Sequence, residues 1–260
     1  MHRFFVPTVV RDDAHILLDG PTAHQIARVL RLRKNETIIL VASDAPDAVE
    51  WRVRLDSVDG GSVRGTIVAE RPALPEPTCA VTLCAAVLKG ERFDWLVQKA
   101  TELGVAAIRP VLTANTIRKL GPDDTAVVER WRRIATEAAE QSGRGRVPAI
   151  AGPVRLDAVI RVTPGPWLVA HESVMGQTLA DAAPPAATAL SVLIGPEGGF
   201  SEAEVARLTQ QEGATAVSLG PRILRAETAA ITAVTLAMVV TKNFRPPSER
   251  RWVERYETRE

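Results

Sequence analysis

Over residues 1–71 the apolar positions come in short runs that alternate with polar ones. Residues 38–41 form a β-branched apolar run. Val49-Glu50-Trp51-Arg52-Val53-Arg54-Leu55 alternates apolar and polar, the period of a half-buried strand. Gly60-Gly61 marks a turn and residues 63–69 alternate again, so the two runs predict a hairpin. A helix is predicted over residues 22–30, with Ile26, Val29 and Leu30 on one face. Together these elements predict a small β-barrel with one helix.

The pattern then changes. Apolar strand runs fall at residues 81–88, 107–112, 167–171, 190–194 and 216–219. Between or after them lie helical patterns. Phe93, Leu96, Val97, Ala100 and Leu103 keep helical spacing, and Gly104 ends that helix. Residues 127–141 form a second. Ser201-Glu202-Ala203-Glu204 is a capping box that opens a third, which Gly213 stops. Residues 226–240 form a fourth, apolar nearly all round and therefore expected to be buried. Strand and helix in alternation imply an α/β domain, a parallel sheet covered on both faces. Residues 182–189 read as a Pro/Ala surface loop, and no internal repeat is present.

Between the two patterns stand Pro72, Pro75 and Pro77, three prolines in six residues, which stiffen a linker and exclude a regular element. The expected organisation is a barrel over residues 1–71, a linker over 72–78, an α/β domain over 79–245 and a charged tail over 246–260.

Composition changes this picture little. Hydrophobic content of 46% and charged content of 24% suit a globular protein with a substantial core, and a net charge of +1 makes no case for nucleic acid. Locally, Arg28, Arg31, Arg33 and Lys34 share one short stretch, and Arg144 and Arg146 flank Gly145. Such clusters are either phosphate contacts or solvated helix faces. Cys79 and Cys84 fall on opposite faces of a strand, match no zinc pattern and read as small buried residues. No apolar run reaches the roughly 20 residues of a membrane span, and the N-terminus lacks a signal-peptide core, so a cytoplasmic protein is expected. His2, His15 and His24 have no metal-ligand spacing, and no metal is expected.

The candidate chemistry sits at two junctions where an apolar run meets a Gly-Pro turn and then a helix. One is Ile194-Gly195-Pro196-Glu197-Gly198-Gly199, and the other runs from Leu219-Gly220-Pro221-Arg222 through Ile223, Leu224, Arg225 and Ala226 to Glu227. Ligands of open α/β sheets bind at the carboxyl ends of strands, where such loops gather. The first loop lacks the Lys-Ser/Thr of a P-loop and is not G-x-G-x-x-G, which disfavours a triphosphate or dinucleotide. Leu219, Ile223 and Leu224 beside free backbone amides suit an adenine pocket. Arg225 and Glu227 open an apolar helix, where a charge needs a partner or a ligand. The plainer alternatives are a mutual ion pair, or Glu227 favouring a helix N-terminus. His171-Glu172 follows a strand and is either a site pair or only a loop. Residues 137–148 end a helix in a basic, glycine-containing loop, which suits a phosphate backbone or merely a helix C-terminus.

These segments together resemble the RsmE family, SPOUT-class 16S ribosomal RNA uridine-N3 methyltransferases. The matching stretches are residues 24–33, Gln98-Lys99-Ala100-Thr101-Glu102-Leu103-Gly104-Val105, Glu140-Gln141-Ser142-Gly143-Arg144, 194–201 and 219–229, in order along most of the chain. Asn35 stands where the family usually has Gly, and Asn also tolerates a left-handed backbone. The resemblance implies a PUA-like N-terminal barrel that helps hold RNA, a C-terminal domain with a deep trefoil knot, and a homodimer. It implies S-adenosylmethionine held by loops 169–172, 194–199 and 219–225. It further implies 16S ribosomal RNA of the small subunit as substrate, with Glu227 as candidate base and Arg225 stabilising the uracil anion. Arg144 would contact RNA or uracil, and Arg28, Arg31, Arg33, Lys34 and Arg146 would hold RNA. A ribose 2′-O-methyltransferase of the same class and a non-catalytic ribosome-assembly factor are the competing readings.

Overall fold

The computed structural model describes residues 1–42, 47–117, 120–121 and 124–244, so the expected charged tail over 246–260 lies outside the described residues. The N-terminal part contains β1 (Arg3–Val6), β2 (Arg11–Asp12), β3 (His15–Asp19), α1 (Gly20–His24), β4 (Thr37–Ala42), β5 (Val49–Val58) and β6 (Ser62–Pro72). They form a six-stranded sheet in the order β1-β4-β5-β6-β3-β2, antiparallel except for β1 beside β4. The predicted hairpin is β5 with β6, closed where Asp59 N–H donates to Ser62 O at 2.9 Å. The sheet curls as a half-barrel around Leu18, Ile26, Ile38, Leu40, Trp51 and Leu55, which are buried. Its end strands β1 and β2 do not pair with each other, so the expected closed barrel is not formed among the described residues.

The helix expected over residues 22–30 is present as α1 and the π-helical turn that follows it, and only the facing of Val29 is corrected. After α1 the chain widens into a π-turn over Gln25–Val29, and Val29 is 66% exposed while Ile26 is fully buried. The wider turn breaks the three- and four-residue spacing that would have aligned the two side chains. Asn35 has a φ of +71°, the left-handed backbone its side chain tolerates.

The remaining elements are β7 (Ala80–Ala86), α2 (Arg92–Glu102), β8 (Ala107–Leu112), α3 (Thr125–Ser142), β9 (Ala149–Ile150), β10 (Val154–Arg155), α4 (Leu156–Val159), β11 (Trp167–Ala170), α5 (Leu179–Ala182), β12 (Ala189–Ile194), α6 (Glu202–Gln210), β13 (Thr215–Val217) and α7 (Ala226–Val240). A seven-stranded sheet runs β10-β8-β7-β12-β11-β13, with β9 also on β8, and every pairing is parallel. Helices cover both faces, as a parallel sheet requires. On one face Leu83 packs in a core with Phe93 and Leu96 of α2, Trp131 of α3 and Met238 of α7. On the other Cys84 packs with Val159, Phe200 and Leu208, so the two cysteines do lie on opposite sides, both free and buried. The Phe93 and Trp131 rings stand 4.4 Å apart, and Trp131 Nε1 donates to Asp94, so the buried indole keeps a polar partner.

Two sequence expectations change here. β6 runs on to Pro72, so the linker begins at Ala73, and it is pinned rather than loose: Ala73 N–H donates to Ala48 O, and Asn243 Oδ1 accepts from Thr78. Helix α7 is not buried all round. Ala230, Ala233, Val234, Ala237 and Met238 face the core, but Ile231 and Leu236 are half-buried and Val239 is 55% exposed. Its outer side thus keeps some apolar surface, at the exposed Val239 and the partly covered Ile231 and Leu236.

Candidate active site

In the parallel sheet β12, β11 and β13 are neighbours, so the loops that leave their carboxyl ends meet. Short hydrogen bonds lace the loop after β11 to the end of β13. His171 N–H donates to Val217 O at 3.0 Å, Ser218 N–H to Gln177 O at 2.8 Å and Leu179 N–H to Ser218 O at 3.1 Å. Thr178 then starts α5 with a capping box shared with Asp181.

Between these two loops lies a cavity of about 420 Å³, lined by residues 170–172, 174–176, 178, 218–224 and Ala229. Of the residues singled out in the sequence, His171, Glu172, Leu219, Gly220, Ile223 and Leu224 are in its wall. Ser218, next to Leu219 at the start of the second junction, is there too, and Val174, Met175 and Thr178 were not anticipated. The one local signal in that stretch that could have found them is the Thr178–Asp181 capping spacing, which was not read from the sequence. Gly220 has a φ of +118°, a backbone closed to ordinary side chains, which turns the loop over the cavity. The N–H groups of Arg222, Ile223 and Leu224 take no acceptor in the chain among the described residues. Apolar walls with open backbone donors are what an adenine ring and its polar edge require.

The turn Ile194, Gly195, Pro196, Glu197, Gly198, Gly199 adjoins this cavity without lining it. A side chain at Gly199 would stand 3.4 Å from Glu172 Oε1, so the first and second loops touch. The Glu197 carboxylate turns outward, accepting from Lys89 N–H at 3.2 Å and Arg92 Nη1 at 3.0 Å at the start of α2. From the other side Asn115 Nδ2 donates to Gly198 O at 3.2 Å and Gly199 O at 3.1 Å. Asn115 gave no signal in the sequence, because its partners are more than 80 residues away.

Arg225 and Glu227 begin α7 beside the cavity. The mutual ion pair considered as a plain structural role is not formed. The Arg225 guanidinium is exposed and has no partner among the described residues. Glu227 Oε2 is buried and has no hydrogen-bond partner among the described residues. A buried acceptor without a donor is costly, so such an atom calls for a ligand.

Arg144, expected to contact RNA or uracil, is placed away from this cavity. Its side chain is 7% exposed and salt-bridged to Glu76, with a further bond from Nη1 to Thr101 O at 3.0 Å. Those internal acceptors occupy its nitrogens, because a buried guanidinium must be paired. Arg146, two residues on, gives its backbone N–H to Glu76 at 3.0 Å. Arg28, Arg31, Arg33 and Lys34 lie on the N-terminal domain, all exposed and without side-chain ion pairs among the described residues. Among the described residues no group of three or more His, Cys, Asp or Glu forms a metal cluster, and no helix is long and apolar enough to cross a membrane.

Comparison with known proteins agrees with this geometry. Residues 75–238 match the model of the RNA methyltransferase domain. The chain is 33% identical to the ribosomal RNA small subunit methyltransferase E of Bacillus subtilis, over 94% of this chain and 99% of that protein. Its structure is similar to the enzyme of that name from Neisseria gonorrhoeae bound to S-adenosyl methionine, with a TM-score of 0.81, 30% identity and coverage of 92% of this chain and 98% of that one. It is likewise similar to a Legionella pneumophila methyltransferase in complex with the same cofactor, with a TM-score of 0.82, 32% identity and coverage of 91% and 96%. Cavity, loop arrangement and similarity along nearly the whole length converge, and the chain belongs to the ribosomal RNA small subunit methyltransferase E family of RNA methyltransferases.

Proposed function

We propose that the protein transfers the methyl group of S-adenosylmethionine to N3 of a uridine in the 16S ribosomal RNA of the small subunit, in the cytoplasm. One observation carries the reading: a cavity of about 420 Å³ at the carboxyl ends of parallel strands, with an arginine and a buried carboxylate oxygen at its side that have no partner among the described residues. The cavity volume lies within the roughly 300–1,000 Å³ of small-molecule sites, and its apolar walls and open amides fit this cofactor. Leu219, Ile223 and Leu224 would flank the adenine, Gly220 and the amides of residues 222–224 would meet its edge, and His171 and Glu172 would hold the polar end. The Gly195–Gly199 turn would close the second side. The cofactor, when bound, supplies an electrophilic methyl group.

The chain's own residues do the rest. Uridine N3 bears a proton at neutral pH, and its lone pair is free to attack only after that proton leaves. Glu227 accepts the proton, and Arg225 donates to the uracil carbonyl oxygens where the negative charge gathers. The base must leave its stack to reach them. Arg28, Arg31, Arg33 and Lys34 hold RNA phosphates on the N-terminal domain, which we read as PUA-like. The C-terminal domain is read as a SPOUT trefoil knot, supported by the lacing of residues 171–179 past β13. A second copy covers the apolar outer surface of α7 to form a homodimer.

The test incubates the protein and methyl-labelled cofactor with unmodified small subunits and with free RNA, and identifies the labelled nucleoside by mass spectrometry. N3-methyluridine is expected. A ribose 2′-O-methyl product would overturn the base assignment, and RNA affinity without any cofactor binding would leave only an assembly factor.

A further inference from the structure

Residues far apart in the chain converge where the two domains meet. Arg3 of β1 is 8% exposed, Glu50 of β5 2% and Arg144 6%. Arg3 Nη2 reaches Glu50 Oε1 at 2.6 Å and Arg144 O at 2.7 Å, across 141 positions of sequence. Arg144 in turn clamps Glu76 in the linker and Thr101 O at the end of α2. Glu76 Oε1 also accepts from Gly145 N–H at 3.1 Å and Arg146 N–H at 3.0 Å. Gly145 has no room for a side chain: a Cβ there would lie 2.7 Å from Leu74 O. One turn earlier on α3, Glu140 accepts a bond from the Phe5 backbone of β1. The end of α3 thus grips the first strand of one domain, the linker, and α2 of the other domain.

We propose that this Glu50–Arg3–Arg144–Glu76 chain is a positioning joint for methyl transfer, fixing how far the RNA-holding arginines stand from the donor cavity. The proposal rests on the reading that Arg31 and Arg33 hold RNA. Charge pairs at a buried joint favour one register strongly, because any other arrangement leaves a charge unpaired away from water. Neither Arg3 nor Arg144 touches substrate, and their effect passes through the placement of the N-terminal domain. A rigid span lets RNA binding energy on one domain deliver the base to the other.

The test uses Glu76→Gln, which keeps an acceptor for Gly145 and Arg146 but removes the charge opposite Arg144. Arg144→Lys, which keeps the charge and loses the fork, is the second variant. With unmodified small subunits, both raise KM for the subunit, Glu76→Gln by about fivefold, while cofactor affinity and kcat stay within about twofold of wild type. Arg31→Ala/Arg33→Ala raises KM by itself, and adding Glu76→Gln to it produces no further rise, because the joint acts through the same grip. Independent, multiplying effects would overturn the proposal, as would cofactor affinity falling in step with subunit affinity, the mark of general damage. If the arginine pair leaves KM unchanged, the RNA grip itself is wrong and the joint's role in positioning goes with it. If the arginine pair raises KM and Glu76→Gln does not, the grip stands and the joint alone is wrong.

Discussion

Arg144 follows the last turn of α3, and Arg225 precedes the first turn of α7. Both belong to stretches that resemble the same family, and the sequence marks both as reactive. The structure treats them oppositely. Arg144 is almost fully buried, and each of its guanidinium nitrogens is bonded to Glu76 or a backbone carbonyl. Arg225 is exposed with no partner among the described residues, and two positions on Glu227 keeps a buried oxygen with none. The domain joint pairs each of its charged groups, with only Arg3 Nε left without a hydrogen-bond partner among the described residues, because unpaired buried charge is costly. The cavity's side leaves its charges open, and open polar groups beside a cavity are waiting for a ligand. Partnering, more than residue type or neighbouring glycine, separates the two roles.

The largest effect that would sharpen this contrast is at Arg225. Arg225→Ala should lower methyl transfer by roughly 100-fold or more, the loss typical of a donor aimed at developing charge. Its melting temperature should match wild type, since no internal bond is lost. Scanning calorimetry beside a methyl-transfer assay checks both, and a clear drop in melting temperature with activity retained would place Arg225 in the same structural class as Arg144.

Why the two regions were unequally legible follows from what a sequence encodes locally. The loops after β12 and β13 show themselves because an apolar run, a Gly-Pro turn and a capped helix are neighbours in sequence, and Ser201 with Glu204 forms the box that the spacing predicts. The strand and helix order of the C-terminal domain was legible for the same reason. The joint was not, because Arg3, Glu76 and Arg144 meet only through tertiary folding. The two-residue strands β9 and β10 were missed because so short an element carries no period. Val29 was misplaced by the π-turn, which leaves no trace in apolar spacing. The outer surface of α7 was read as buried because the pattern cannot say whether this chain or a second copy covers it.

The joint carries an intermediate effect through pH. Burial holds the Glu140 carboxyl up at about 7 against an ordinary 4.5, aided by repulsion from Glu137 and opposed by the Phe5 bond and by Arg3. A raised carboxyl means that the folded state keeps its proton while the unfolded state has released it. Stability is therefore greatest below about 4.5, falls as pH rises, and levels off above about 7. The Glu140 contribution is read by difference. Glu140→Gln keeps the acceptor for Phe5 and removes the charge. It should melt roughly 2–4 °C above wild type at pH 8 and show no advantage at acidic pH, a gap of the size that about 1 kcal/mol produces in a chain of this length. An equal gap at both ends of the range would assign the difference to packing instead.

The smallest effect tests whether the cavity side has structural partners of its own. Asn115 gives its amide to Gly198 O and Gly199 O, while Arg92 and Lys89 hold Glu197, so the glycine turn is fixed by groups that do not line the cavity. Asn115 is exposed, and water competes for both bonds, which limits what they contribute. Asn115→Asp has the same shape but turns a donor into an acceptor facing two carbonyl oxygens. The turn should then sample positions unsuited to the cofactor, weakening its binding by about fivefold. Affinity for RNA should not change, since the N-terminal domain and the joint are untouched. Calorimetric titration of the cofactor into wild type and Asn115→Asp decides the matter. Equal affinities would mean that the Gly195–Gly199 turn holds its shape from its own backbone. A weaker variant would mean that the cavity, like the joint, depends on charges and amides satisfied behind it, with only its inner face left open.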